Sequence, residues 1–125
     1  MKQDIKSALY DSLKKYGEKE NICFSTDLKN DWERFASYDS VKASFPSDID
    51  LRHKLISQGR ILEENLDKHF YCWLIQLEGL FAPEVLVVTI MEDDHVQIGA
   101  FAKEGLLSKG TAGKAVKQVK KALTK

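Results

Sequence analysis

Between Phe70 and Lys103 the apolar residues change their repeat, and that change constrains the fold more than any other feature of the sequence. Three strand-length runs follow one another: FYCWLIQLEG, EVLVVTIM and HVQIGAFAK, all rich in β-branched and aromatic residues. The middle run is apolar on both faces, so it belongs at the centre of a sheet with helices on at least one side. In the third run Val96, Ile98, Ala100 and Ala102 face one way and His95, Gln97, Gly99 and Phe101 the other. Residues 79–83 separate the first two runs. Glu92, Asp93 and Asp94 separate the second and third, a short polar loop suited to a hairpin.

Upstream of this meander the spacing is helical. Ile5, Leu9, Leu13 and Tyr16 predict a first helix that Gly17 stops. The NICFS segment reads as a short strand. Asp27 is suited to cap a helix carrying Leu28, Trp32 and Phe35 on one face and ending near Tyr38. SVKASFPSD is a loop punctuated by Pro46. Ser47 with Asp50 resembles a capping box, and behind it Leu51, Leu55, Leu62, Leu66 and Phe70 fit one long helix or two shorter ones. Gly59 interrupts that pattern at a cost of about 1 kcal/mol relative to alanine. The expected architecture is one α+β domain over residues 1–125. About four helices pack on a three- to four-stranded, mainly antiparallel sheet.

At 125 residues the chain is long enough to bury a core without disulfides or metal. Its first residues are polar and amphipathic, and no apolar run approaches the roughly eighteen residues of a membrane span. A cytoplasmic location is therefore expected, and Cys23 and Cys72, each inside an apolar stretch, read as buried thiols. Net charge is zero but unevenly spread. Residues 1–102 hold 12 Lys and Arg against 18 Asp and Glu, whereas residues 103–125 hold seven lysines against Glu104. Such asymmetry speaks of partners rather than of fold.

The lysine-rich tail, LLSKGTAGKAVKQVKKALTK, matches no nucleotide-triphosphate loop. Counted from Gly105, Thr111 stands where the lysine is needed. The passage into Gly110-Thr111-Ala112 resembles the acyl-coenzyme A turn of the GCN5-related N-acetyltransferases, with Gly110 at the motif glycine and Ala112 at its small position. The element order of strand, two helices, three strands and helix is similar too. That resemblance implies a pyrophosphate resting on backbone amides near Gly110. Leu107 stands where the family carries arginine or glutamine. The tail also lacks arginine and aromatic residues, so it supplies neither base stacking nor bidentate base reading, and direct nucleic-acid binding is not expected. Ala112, Ala115, Val116, Val119, Ala122 and Leu123 instead form the apolar stripe of a docked helix. Thr111 would be its cap, and the lysines its wet face.

No cofactor motif is present. His53, His69 and His95 lack the spacing of a metal helix, and no nucleophile is matched to a base. The carboxylates carry more information. Asp27, Asp31 and Glu33 surround Trp32, Asp48 and Asp50 open the next helix, and Glu92, Asp93 and Asp94 form a hairpin tip. Carboxylates interleaved with aromatic anchors fit a binder of a basic protein. In size, compartment and charge the chain is similar to the immunity proteins of bacterial contact-dependent growth inhibition. That resemblance implies steric and electrostatic masking of a nuclease toxin domain without catalysis. A secretion-chaperone-like dimer is a further reading of the same features.

Overall fold

The computed structural model describes residues 4–22, 32–43, 47–78, 84–102 and 110–124. In chain order they form α1 (Ile5–Tyr16), a 3-10 turn (Trp32–Phe35), β1 (Ala36–Lys42), α2 (Asp48–Leu55), β2 (Gly59–Asn65), β3 (Phe70–Gln76), β4 (Glu84–Met91), β5 (His95–Phe101) and α3 (Thr111–Leu123). The class is α+β, as expected. The sheet, however, has five antiparallel strands in the order β1-β5-β4-β3-β2, and three α-helices cover it rather than four.

The meander lies where the change of period placed it. β3 pairs β4 and β4 pairs β5 in unbroken antiparallel register, and β4 is buried from Val85 to Ile90. Its two faces feed separate cores. On one face Tyr71, Trp73, Val85, Val87, Val96 and Ile98 meet Leu51 and Leu55 of α2 and the buried stripe of α3. On the other, Cys72, Leu74, Leu86, Val88 and Phe101 meet Ala8, Leu9 and Leu13 of α1. The indole N–H of Trp73 donates to the buried Thr89 hydroxyl at 3.0 Å, which satisfies both groups inside the first core.

Two expected helices do not run as far as their apolar spacing suggested. Trp32 and Phe35 sit on a single 3-10 turn, and the chain then extends as β1 instead of continuing helical to Tyr38. The proposed cap Asp27 and Leu28, most of NICFS, and Pro46 lie outside the described residues. The leucine series is split: Leu51 and Leu55 belong to α2, Leu62 to β2, exposed Leu66 to a turn and Phe70 to β3. The series breaks after Leu55, and Gly59 stands where the chain re-enters as a strand. It opens β2 so close to β3 that a Cβ there would overlap the Leu74 carbonyl oxygen. The chain turns again at His69, whose φ is 53°.

The helix ends also differ in detail. Gly17 follows α1 in helical conformation, and the left-handed step comes later, at Asn21 with φ 59°. Ser47 does precede α2, but its hydroxyl bonds the Asp50 carboxylate at 3.4 Å rather than a backbone N–H. Gly110, left-handed at φ 69°, takes the cap position of α3, and Thr111 becomes the first helical residue. The stripe itself is as read: Ala112, Ala115, Val116, Val119 and Leu123 are buried. Gln118 pins α3 to the far side of the sheet, donating to Gln58 Oε1 at 2.6 Å and to the Gln76 carbonyl at 2.9 Å. One helix and four strands follow β1 before α3, so the order that likened the chain to the acetyltransferases is not the order of this fold. Among the described residues no helix is long and apolar enough to cross a membrane.

Candidate partner-binding surfaces

The carboxylates singled out from the sequence fall into separate groups. Glu92, Asp93 and Asp94 form the β4–β5 turn, close to the end of β1, where the Ala43 N–H donates to the Asp94 carbonyl at 3.2 Å. Asp48 and Asp50 open α2, whose first residue follows Ala43 by five positions. Trp32 and Glu33 lie at the other end of β1, about 20 Å away along a seven-residue strand. Asp27 and Asp31 lie outside the described residues.

The hairpin end is braced. The Glu92 N–H donates to the His95 carbonyl at 2.8 Å, and Gln97 donates to the Glu92 carboxylate. His95 sits between two acids: Nε2 is 2.9 Å from Glu92 Oε2 and Nδ1 is 2.8 Å from Asp94 Oδ1. Carboxylates only accept, so both contacts are hydrogen bonds when the ring carries both protons. The His95 contact holds the Asp94 carboxyl below its ordinary range. Asp93 and Asp94 remain exposed.

Trp32 is not a free anchor. Its ring is half-buried against Tyr10 and Phe101, with centroids 5.4 and 6.5 Å away. Glu33 is held by Lys6 at 2.9 Å. Behind them Tyr38 is pushed up to about 12, by burial first and then by the charges of Glu33 and Asp4. This end of the molecule is therefore largely packed.

Two depressions were not visible in the sequence. The larger, about 440 Å3, lies between α1 and the β2–β3 side of the sheet and is lined by Ser12, Lys14, Lys15, Glu63, Asn65 and Lys68 among others. Glu63 accepts from Lys15 at 2.8 Å and from the Tyr16 hydroxyl at 2.7 Å, which together hold its carboxyl below the ordinary value. Beneath lies Cys72. Burial pushes its thiol up to about 12 despite a hydrogen bond from Ser12, so at neutral pH it is a small hydrophobe and not a nucleophile. Cys23 lies outside the described residues. The smaller depression, about 180 Å3, lies between residues 34–37 and the first turn of α3.

The lysines of the tail form a face rather than an arm. Lys114, Lys117 and Lys121 project from α3 into solvent, and Lys120 holds Asp39 of β1 at 2.8 Å. No acidic residue lies in α3. Among the described residues no group of three or more His, Cys, Asp or Glu side chains is arranged to hold a metal ion. No protein-family model, curated protein or solved structure matches the chain.

Proposed function

We propose that this protein is a non-catalytic inhibitor of the immunity type, acting in the cytoplasm, which masks the cationic surface of a nuclease toxin domain with the acidic β4–β5 hairpin end. The observation that supports this reading is the bracing of that turn. Exposed Asp93 and Asp94 are carried on two strands rooted in the buried core, and backbone and side-chain hydrogen bonds hold the turn. Carboxylates fixed in place before contact lose less freedom on binding, and their charge steers a basic partner toward them. Asp50, at the start of α2, is a further carboxylate for the partner; Glu33, bound by Lys6, contributes less.

The test uses a basic nuclease toxin domain encoded beside this chain's gene. Calorimetry should give a one-to-one complex in which nuclease activity is lost. Asp93→Lys with Asp94→Lys should slow association about tenfold at low salt, while Glu33→Lys changes it little. Equal association by the hairpin variant and the unaltered chain would remove the hairpin end from the interface.

A further inference from the structure

The two edges of the sheet are built differently, and β1 is the unguarded one. Its register with β5 runs without a bulge from Ala36 opposite Phe101 to Lys42 opposite His95. The bonds from Ala102 N–H to Phe35 O and from Ala43 N–H to Asp94 O flank this ladder. Bonded and non-bonded pairs alternate in an antiparallel ladder, so Ser37, Asp39 and Val41 spend their backbone groups on β5. Ala36, Tyr38, Ser40 and Lys42 then turn their N–H and C=O groups outward. Among the described residues no strand lies beyond them. Among the described residues only the Ser40 N–H is engaged, by the side chain of Asp39 at 2.8 Å.

What flanks this edge is basic. A Cβ at Gly113 would lie 3.9 Å from the Ser37 hydroxyl, and two turns later Lys120 binds Asp39, so α3 lies along β1. On a helix, positions 114, 117, 120 and 121 spread over about 120°, from that contact line round to the solvent-facing side, and all four are lysines. Arg34 stands at the start of the strand beside the small depression. A second copy of this chain is a poor occupant, because pairing β1 with itself would bring two lysine rows together.

We propose that β1 docks an extended, carboxylate-bearing segment of a partner protein, which adds to the sheet as a sixth strand beneath the lysines of α3. Main-chain hydrogen bonds to Ala36, Tyr38, Ser40 and Lys42 supply the attachment, and the lysines select acidic side chains on every second residue. The Ser40 N–H exchanges the Asp39 carboxylate for a partner carbonyl. This surface adjoins the hairpin end at Lys42, opposite His95, and the two readings are told apart by their variants: Ser40→Pro tests the edge, and Asp93→Lys with Asp94→Lys tests the hairpin.

The test is amide exchange and chemical-shift mapping of the full chain with two synthetic ten-residue peptides of alternating threonine and glutamate, or threonine and lysine. The glutamate peptide should slow exchange at Ala36, Tyr38, Ser40 and Lys42, with binding that weakens as salt rises. Lys117→Glu with Lys121→Glu should weaken it about tenfold. Ser40→Pro, which removes only an outward N–H, should abolish the protection while the fold persists by circular dichroism. Four outcomes overturn the proposal: no binding of the glutamate peptide, equal binding of the lysine peptide, shifts that map away from β1, or slow exchange at those four amides in the peptide-free monomer. Concentration-dependent dimerisation in sedimentation that Ser40→Pro abolishes would assign the edge to a second copy, and overturns it too.

Discussion

The strands at the two margins of the sheet, β1 and β2, solve the same problem in opposite ways. An edge strand presents unpaired backbone groups, and proteins commonly blunt it with charge, bulges or cover. β2 does so thoroughly. Its register with β3 slips between Ile61 and Glu63, so consecutive side chains share a face and the ribbon kinks. Arg60 then reaches Glu20 at 2.8 Å, Glu63 reaches Lys15 and Tyr16, and Glu64 reaches Arg52 at 3.2 Å. Both helical layers are tied to it. Among the described residues β1 has one such tether, between Asp39 and Lys120, and a regular backbone. The difference teaches that charge alone does not mark a protected edge; what matters is whether the side chains are anchored across it.

The comparison breaks most readily at Gly59. Gly59→Ala places a methyl group against the Leu74 carbonyl, and should lower unfolding free energy by about 3 kcal/mol or more in a denaturant titration. Next in size is a proline on each edge. The Gln76 N–H to Gln58 O bond puts Arg60 two residues on in a bonded pair, so Arg60→Pro removes a ladder bond and should cost about 3 kcal/mol. Ser40→Pro should cost less than about 1 kcal/mol, because its N–H points away from the sheet. Equal losses for the two would show that β1 is covered as β2 is.

Smaller effects sharpen the contrast. Glu63→Gln should cost about 1 kcal/mol at neutral pH. Lys15 and Tyr16 depress the folded carboxyl below its ordinary 4.5, so its contribution is present above the unfolded value and fades as pH falls through the folded one. The variant should therefore fall behind the unaltered chain at pH 7, and the gap should narrow as pH falls below the ordinary carboxylate value. At the other edge Lys120→Ala should move stability by less than about 0.5 kcal/mol, since both partners are substantially exposed. A larger loss there would mean that β1 too is held through its side chains.

These edges are also where the sequence was hardest to read. β3, β4 and β5 bury most of both faces, so their apolar runs announce them, and the α3 stripe is equally plain. β1 buries one side chain fully, Val41, and its remaining residues mix serine, aspartate and lysine. GRILEEN buries none fully and is written in residues that also suit a helix; pairing with Trp73 and Leu74 overrides that preference. The turn chemistry of Asn65 and Asp67 before His69 was the available signal for β2. The acidic hairpin was legible because a short loop fixes its own geometry. The lysine-flanked edge was not, because it requires knowing that residues 36–42 and 111–123 lie side by side.

The pairing of β1 with β5 also governs when the molecule can assemble. Ala36 lies opposite Phe101, the last residue of β5, and α1 packs on β4 and β5 rather than on neighbours close in the chain. During synthesis α1 and β1 therefore wait for more than fifty residues before their binding sites exist. Closing such wide loops is slow relative to local helix formation. Until β4 and β5 have both emerged from the ribosome, the apolar side of α1 is incompletely covered, and the nascent chain is at its most vulnerable to aggregation and chaperone capture.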